Sequence, residues 1–227
     1  PYQMEDGIST GQVDITHKGD IRVNGNGGTG IKGSTYLDNG KAGNVNLDVE
    51  GDIVVTTTPF SNAPNTGLAA ESSVRNAVSG SHASGNVSVK HVGDITLEGV
   101  ELASGGYENR SSMRGIDAIS YNSGGDPSSS GDVFVDLEGD INYNRPSPRT
   151  DDISVAIDAW TRASGSSGNV ELSHKGNVNF TLGLPSAINL KSTKAEAYRG
   201  GVISSGAVTV NLEGDHVYTR NEDISYE

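Results

Sequence analysis

Two aspartates in this sequence stand where a pair of carboxylates could do chemistry. They belong to three similar tetrapeptides, Gly115-Ile-Asp-Ala, Ala156-Ile-Asp-Ala and Ala187-Ile-Asn-Leu. If the isoleucines point inward, Asp117, Asp158 and Asn189 point outward in one series, with Tyr121 and Trp160 close by. Two carboxylates about 5 Å apart form the catalytic pair of retaining glycosidases. The plainer interpretation is an exposed polar ladder. We assign these five residues as a candidate ligand-binding site and assign no catalytic residue.

Three histidines invite a metal assignment. His17, His91 and His174 hold one position in copies of a repeated segment, and apolar residues hold that position in the copies between them. On alternate neighbouring strands these histidines would lie about 9–10 Å apart. Zn–N bonds of about 2.0–2.1 Å cannot bridge that distance. We therefore predict corner histidines with local hydrogen bonds, and no metal or other cofactor.

A series of acidic residues invites a calcium assignment. One Asp or Asn follows a glycine in each copy of the repeated segment: Asp20, Asp52, Asp94, Asp140, Asn177 and Asp215. One carboxylate per copy is too few for the roughly six to eight oxygen ligands of calcium. We predict that these side chains cap the turn through their own backbone.

Two short motifs resemble functional ones. Residues 7–11 have the Gly-x-Ser-x-Gly spacing of a nucleophile elbow around Ser9. That elbow needs a strand-to-helix turn together with a histidine and a carboxylate, and here an alternating strand pattern follows. Lys18-Gly19-Asp20 resembles an integrin-binding tripeptide, but Glu50-Gly-Asp and Glu138-Gly-Asp occupy the same position in other copies. Both motifs are predicted to be structural.

One internal repeat supplies the elements that would position these residues. Its unit has two glycines eight residues apart and occurs six times, beginning at Gly11, Gly43, Gly85, Gly131, Gly168 and Gly206. The copies begin 32, 42, 46, 37 and 38 residues apart. A constant unit with variable spacers is typical of a solenoid whose strands are constrained and whose loops are free.

The apolar residues alternate within each copy, as in Val13 and Ile15. Period two indicates half-buried strands, and the glycine between them tolerates the positive φ of a corner. Segments such as Gly67-Leu-Ala-Ala indicate a third strand. The pattern predicts an all-β parallel β-helix of about six turns with three short strands each. Its internal column would contain Val13, Val45, Val87, Val133, Val170 and Val208.

The spacers are rich in Gly, Ser, Asn and Pro, which predicts corner loops. One such loop is predicted at Ser123–Ser130, and a short helix is predicted at Ala69–Val78. No domain boundary is visible. The chain is predicted to be a single β-helix segment, residues 1–227 with repeats from about 11 to 218, of a longer protein.

The residues before the second glycine test whether the copies stack in register. In order they are Lys18, Glu50, Val92, Glu138, Lys175 and Glu213. Where charged residues are neighbours in this series, their signs alternate. Parallel strands about 4.8 Å apart would favour this alternation, which indicates in-register stacking.

Composition excludes several classes of protein. Only 33% of residues are hydrophobic and 5% aromatic, which indicates a slim core. The formal charge of −13 argues against a nucleic-acid partner. The absence of cysteine rules out disulfides and thiolate chemistry. No run of about 18 apolar residues occurs, so direct membrane insertion of this segment is not expected.

The recurring line Gly-Ile-x-Ala, a Ser/Gly-rich stretch, Gly-[Asn/Asp]-Val-x-[Val/Leu] and Gly-Asp-Ile resembles the passenger domains of bacterial autotransporter adhesins. The resemblance covers nearly the whole chain, and this family belongs to the type V secretion class. It implies a right-handed β-helix that is exported unfolded and is extracellular, either on the bacterial cell surface or secreted. It also implies a full-length parent with a C-terminal outer-membrane barrel.

We therefore expect an adhesin or a self-association surface for cell aggregation and biofilm formation, and not an enzyme. The expected partner is another copy on a neighbouring cell, or host-surface glycans and matrix proteins, with the homotypic partner slightly favoured. Two alternatives stay open. One is a polysaccharide-degrading enzyme on a β-helix, and the other is a structural stalk that presents a distal domain.

Overall fold

The computed structural model of this chain describes residues 9–25, 27–57, 65–75, 81–99, 113–124, 128–145, 153–182, 189–199 and 205–220. These residues form strands and no helix. In chain order the strands are β1 (Val13–Lys18), β2 (Ile21–Gly25), β3 (Thr29–Leu37), β4 (Val45–Glu50), β5 (Ile53–Thr57), β6 (Asn65–Val74), β7 (His82–Ala83), β8 (Val87–Val92), β9 (Ile95–Gly99), β10 (Met113–Asn122), β11 (Ser128–Ser129), β12 (Val133–Glu138), β13 (Ile141–Arg145), β14 (Ile153–Ala163), β15 (Val170–Lys175), β16 (Val178–Leu182), β17 (Asn189–Arg199), β18 (Val208–Glu213) and β19 (His216–Arg220). The described part of the chain contains no helix long and apolar enough to cross a membrane.

Each repeat contributes one strand to each of three parallel sheets, except that the described part of repeat 6 contributes only two strands. The first sheet has the order β1-β4-β8-β12-β15-β18, and the second has β2-β5-β9-β13-β16-β19. The third sheet has the order β3-β6-β10-β14-β17, and β7 pairs with β11 in a small fourth ladder. The predicted all-β class and the parallel pairing of equivalent strands are confirmed.

The strands pair at equivalent positions of the repeat. Val13, Val45, Val87, Val133, Val170 and Val208 pair in sequence as predicted. The charged series that begins at Lys18 also follows the predicted register, and it contains the ion pairs Lys18–Glu50 at 2.7 Å and Glu138–Lys175 at 3.2 Å. Opposite charges on adjacent parallel strands thus lie side by side.

Apolar side chains from the three sheets meet in one slim core. Its fully buried members include Leu47, Ile53, Leu68, Ile95, Leu97, Ile116, Leu137, Ile141, Ile157, Leu172 and Phe180. Val208 departs from the prediction, because it shares the register of the inner column but is 44% exposed. In the described residues no strand of the third sheet covers repeat 6, so its apolar side chains lack neighbours on that side.

The two glycines of each repeat form columns where one repeat touches the next. A Cβ placed on Gly131 would lie 2.5 Å from the carbonyl oxygen of Gly85 in the preceding repeat. A Cβ on Gly139 would lie 2.0 Å from the carbonyl oxygen of Gly93. The second glycine also has positive φ, for example 138° at Gly93, so glycine is required there for two separate reasons.

The residue that follows each glycine links neighbouring repeats through its side chain. The backbone N–H of Asp140 donates to Oδ1 of Asp94 at 2.8 Å, and the same bond recurs along this series from Asp20 to Asp215. A parallel ladder follows the first glycines, where the N–H of Asp132 donates to Oδ1 of Asn86 at 2.9 Å. The prediction that these aspartates cap their own turn was wrong. They accept from the next repeat, because in-register stacking brings its unpaired N–H within reach.

Buried hydroxyls secure the corner between the third sheet and the first. Thr35, Ser72, Ser120 and Thr161 form one inward column and are 0–5% exposed. The Ser120 hydroxyl donates to the carbonyl of Gly85 at 2.9 Å and accepts from the N–H of Gly131 at 2.9 Å. These hydroxyls satisfy backbone groups that the turn leaves unpaired.

Two local predictions were wrong. The segment predicted as a helix at Ala69–Val78 is strand β6 up to Val74, and residues 76–80 lie outside the described part. The predicted loop Ser123–Ser130 contains strand β11, and Ser128 and Ser130 are buried. Ser and Ala look like spacer residues in sequence, but here they fill narrow inward positions that larger side chains could not enter.

The contact between glycine columns predicts a strong difference between two identical substitutions. Gly131→Ala should lower the free energy of unfolding by about 1–3 kcal/mol or more, because its Cβ would meet the backbone of Gly85. Gly11→Ala is the matched control, since nothing lies within 4 Å of the added Cβ. Its effect should stay within about 0.5 kcal/mol. Urea denaturation followed by circular dichroism measures both, and equal losses would contradict the stacking contact.

The side-chain ladder predicts that an acceptor oxygen, and not a negative charge, is needed at Asp94. Asp94→Ala should cost about 1–2 kcal/mol because the N–H of Asp140 loses its partner. Asp94→Asn should stay near wild type, since Asn177 already fills this role in the same series. Thermal melts with and without calcium check this. A calcium-dependent rise in Tm that Asp94→Asn abolishes would instead support a calcium site.

Candidate ligand-binding site

The two aspartates of the candidate site are neighbours on the outer face of the third sheet. Asp117 on β10 pairs in register with Asp158 on β14, and Ile116 pairs with Ile157 beneath them in the core. The predicted pairing of the two carboxylates is confirmed. Asp117 is 17% exposed and Asp158 only 6% exposed at the side chain, so both are largely covered.

Asn189 is not part of this column, and its predicted position was wrong. It pairs with Ile153 near the start of β14, whereas Lys194 pairs with Asp158. The Lys194 ammonium lies 3.4 Å from Oδ1 of Asp158, and the adjacent Ala195 packs against the core. The ion pair of Lys194 with Asp158 on the outer face and the small Ala195 on the inner face favour this register. The likeness of Ala187-Ile-Asn-Leu to the other tetrapeptides had suggested a different one.

Two cations neutralise the carboxylates. Nη1 of Arg114 lies 2.6 Å from Oδ2 of Asp117 and 3.7 Å from Oδ2 of Asp158. Lys194 also lies 3.3 Å from Oε2 of Glu196. The spacing of Arg114 and Asp117, three residues apart, was visible in the sequence, but the role of Lys194 follows only from strand register.

Burial raises the pKa of Asp117 above its ordinary value, although the nearby Arg114 opposes the shift and Asp158 adds to it. Its Oδ1 is buried and has no hydrogen-bond partner. A carboxyl group in this setting takes up a proton more readily than one in water. This is the one property of the site that fits acid–base chemistry.

Aromatic rings continue the same face and form what we call the aromatic strip, made of Tyr36, Tyr121 and Trp160 with the cations Arg75 and Lys194. The Tyr121 and Trp160 rings meet edge to face, with centroids 5.8 Å apart. The Arg75 guanidinium lies 5.9 Å from both the Tyr36 and the Tyr121 ring centroids. Lys194 lies 5.9 Å from the Trp160 ring centroid, so cation–π contacts hold the strip together.

Arg75 fills a gap in the tyrosine column. Tyr36, Ser73 and Tyr121 pair in register on successive strands, so the small Ser73 leaves space between the two rings. Arg75 occupies that space and is held by Glu71 at 2.6 Å, and Ser73 is consequently 1% exposed. Sequence reasoning found Tyr121 and Trp160 but missed Tyr36 and Arg75, because their proximity depends on strands far apart in the chain.

The histidine column has the predicted alternation. His17, Val49, His91, Leu137, His174 and Leu212 pair in order along the first sheet. His91 lies 3.2 Å through Nδ1 from the Val49 carbonyl, and His174 lies 2.9 Å through Nε2 from the Gly139 carbonyl. The predicted local hydrogen bond is confirmed at His17, whose Nε2 lies 3.0 Å from the Gly19 carbonyl oxygen, whereas His91 and His174 bond to carbonyl oxygens of the preceding repeat. The described residues contain no group of three or more His, Asp or Glu side chains that could hold a metal ion.

Burial lowers the pKa of His91 and of His174 below the ordinary value, and hydrogen bonds to backbone carbonyls oppose the shift only in part. One ring nitrogen of each is buried without a partner. The neutral imidazole is therefore the form that the fold accommodates.

Ser9 lies at the edge of the described structure. It forms an isolated parallel bridge with Lys41 and is exposed. Gly7 of the same motif lies outside the described residues.

No known protein family, curated protein or solved structure matches this chain.

The two buried histidines predict acid sensitivity with a definite sign. The unfolded chain binds protons at an ordinary pKa of about 6.5, whereas the folded chain resists them, so the free energy of unfolding should fall as pH drops below about 6.5. His91→Leu/His174→Leu replaces each histidine with a residue type found in the same column. This variant should show a shallower fall between about pH 6.5 and 5, measured by urea denaturation at each pH. An unchanged slope would contradict the assignment to these histidines.

Proposed function

We propose that this chain is an extracellular bacterial adhesin or self-association surface, built as a right-handed parallel β-helix and displayed on the cell or secreted. The stacking of one strand per repeat in each of three parallel sheets supports the coil. The resemblance of the repeat to autotransporter passenger domains supports the handedness and the location. A chain without cysteine suits export in an unfolded state.

One observation carries the proposal: outward side chains form in-register columns that run across five or six repeats on the sheet faces. An ordered and polar face suits many weak contacts distributed along its length. It does not suit enclosure of a small substrate, for which proteins generally use a concave pocket.

The aromatic strip is the proposed anchor within this surface. Trp160 has the largest side chain of the strip and is half-buried, and Tyr121 and Lys194, which can donate hydrogen bonds, lie against its ring. Aromatic and Arg residues commonly dominate the binding energy of flat interfaces. The strip suits either glycans or matrix proteins of a host, whereas the charged columns of the first sheet favour a homotypic partner.

A glycan-cleaving enzyme is the second candidate, because Asp117 has a raised pKa and lies beside Asp158. Against it, Arg114 and Lys194 contact these carboxylates, and Asp158 is almost fully buried. A nucleophile and a proton donor must both reach a substrate. We therefore propose a binding surface and no catalysis. A stalk that carries a distal domain would use the same coil without contacts of its own.

Removing the proposed anchor should weaken adhesion. Bacteria that display the protein should aggregate, or adhere to glycans, matrix proteins or cells, and Trp160→Ala should reduce this several-fold because it removes the largest aromatic side chain of the strip. Thr96→Ala, on the outer face of the second sheet, is the control and should behave as wild type. Adhesion is scored by cell sedimentation and plate binding at matched surface expression.

Two negative results of this experiment would have different meanings. If Trp160→Ala matches Thr96→Ala while the wild type adheres, the aromatic strip is not the anchor. If the displayed wild type neither aggregates nor adheres to any of these targets, the stalk becomes the better description.

A further inference from the structure

The outer face of the first sheet is the most regular charged surface of the described chain. It consists of three columns, which we call the near, middle and far columns. The near column is Asp14, Asn46, Ser88, Phe134, Glu171 and Thr209; the middle column is Thr16, Asp48, Lys90, Asp136, Ser173 and Asn211; the far column is Lys18, Glu50, Val92, Glu138, Lys175 and Glu213. Every charged side chain among them is exposed.

These columns have an unusual order of charge. Read from repeat 1 to repeat 6, the far column runs Lys, Glu, Val, Glu, Lys, Glu. Reversing it places each lysine opposite a glutamate. The middle column behaves in the same way, because Lys90 in repeat 3 and Asp136 in repeat 4 exchange places.

Reversal of this kind is what a two-fold axis along the strand direction imposes on two copies packed face to face. Such an axis keeps each column opposite the same column of the second copy and reverses the order of the repeats. Repeat 1 then faces repeat 6, repeat 2 faces repeat 5, and repeat 3 faces repeat 4.

In that arrangement the opposed charges match. Lys18 faces Glu213, Glu50 faces Lys175, and Lys90 faces Asp136 of the second copy, and the symmetry makes each pair occur twice. The other acidic residues, Asp14, Asp48, Glu138 and Glu171, face Thr209, Ser173, Val92 and Asn46 respectively. No two like charges are opposed.

Other registers do not have this property. If the second copy is shifted by one repeat in one direction, Glu50 faces Glu213, and Asp136 faces Asp136 of the second copy. If it is shifted in the other direction, Lys18 faces Lys175, and Lys90 faces Lys90 of the second copy. An axis parallel to the stack of repeats sets Asp48, Lys90 and Asp136 each against its own copy. Like charges opposed in this way repel.

We propose that the first sheet binds a second copy of this chain, antiparallel and in the register that opposes repeat 3 to repeat 4. This proposal rests on the proposed self-association function and identifies its contact surface. It accounts for the exposed Lys90, whereas Lys18 and Lys175 also form ion pairs with Glu50 and Glu138 of the same chain.

The size of the face indicates a weak contact that many copies strengthen. Six strands at about 4.8 Å spacing and about 20 Å of strand length give roughly 600 Å² per copy. A total of roughly 1,200 Å² lies at the lower end of specific interfaces. Arrays of copies on two opposed cells would turn this modest affinity into firm adhesion.

The central pair of charges provides the sharpest test. Neither Lys90 nor Asp136 forms an ion pair within the described part of the chain, and both are exposed. In a dimer of two Lys90→Glu copies, an acidic residue at position 90 faces Asp136 of the second copy. In a dimer of two Asp136→Lys copies, Lys90 faces a lysine at position 136. A mixture of the two variants restores both ion pairs, and so does the double variant Lys90→Glu/Asp136→Lys paired with itself.

The experiment is sedimentation velocity of the purified full chain over a range of concentrations, with circular dichroism and Tm as checks of folding. Wild type should self-associate, less so in high salt. Each single reversal should raise the dimer Kd by roughly tenfold or more, and the equimolar mixture and the double variant should both recover. Lys32→Glu makes the same change of charge on the third sheet and should leave the dimer Kd unchanged.

Two results would overturn the proposal. The first is self-association that Lys90→Glu leaves intact, or that neither the mixture nor the double variant restores. The second is a wild-type chain that stays monomeric at every concentration tested. Adhesion of displayed cells to glycans or matrix proteins would leave the adhesin function standing in either case, which separates failure of this interface from failure of the function.

Discussion

The close approach of backbone to backbone at the two glycine columns is the contact on which the rest of this structure depends. At Gly131 and Gly139 the space that a Cβ would occupy belongs to the carbonyl group of the preceding repeat. Neighbouring repeats can therefore stack at the distance that parallel strand pairing requires only if glycine is present at both corners. The Asp and Asn side chains that follow these glycines use the same proximity, since each accepts the N–H of its counterpart in the next repeat. Steric fit and hydrogen bonding thus specify one register together.

Once the repeats are in register, each strand side chain belongs to a column of equivalent side chains. Its neighbours in that column determine whether it is buried, hydrogen-bonded or paired with an opposite charge. Inward columns hold aliphatic side chains, and one holds the hydroxyls of Ser72, Ser120 and their counterparts, which satisfy the corner backbone. In the histidine column His91 lies between Val49 and Leu137, and burial lowers the pKa of its imidazole. Outward columns carry charge. A chain with so few apolar residues can be stable in this way because its core is thin and each repeat buries the faces of its neighbours.

This architecture also constrains function. A column exposes one side chain per repeat at regular intervals, so the binding surface that we propose extends along the face and does not converge on one point. At Asp117 and Asp158, where two carboxylates do converge, Arg114 and Lys194 neutralise them within the chain. The charged side chains of the first sheet are exposed, and in the aromatic strip Tyr36 is 50% exposed while Tyr121 and Trp160 are half-buried. The interaction surface that we propose would add small contributions to binding over several repeats.

Much of this could be predicted from the sequence, because the glycine pair and the alternation of apolar residues are local patterns of constant length. They determined the strands of the first two sheets, their parallel pairing and the alternating charges from Lys18 onward. The likeness of the two tetrapeptides that contain Asp117 and Asp158 predicted the adjacency of these residues. The tertiary structure alone decided what lies after the variable spacers. It set Lys194 and not Asn189 beside Asp158, made a strand of the segment after Ala69, buried Ser128, and placed Arg75 between two tyrosines. Because the spacers differ in length, their sequence does not predict which residues of the following strands pair. Small polar residues also suit a loop and a narrow interior equally well. Which of these applies depends on neighbouring repeats that lie about 30 to 50 residues away in the chain.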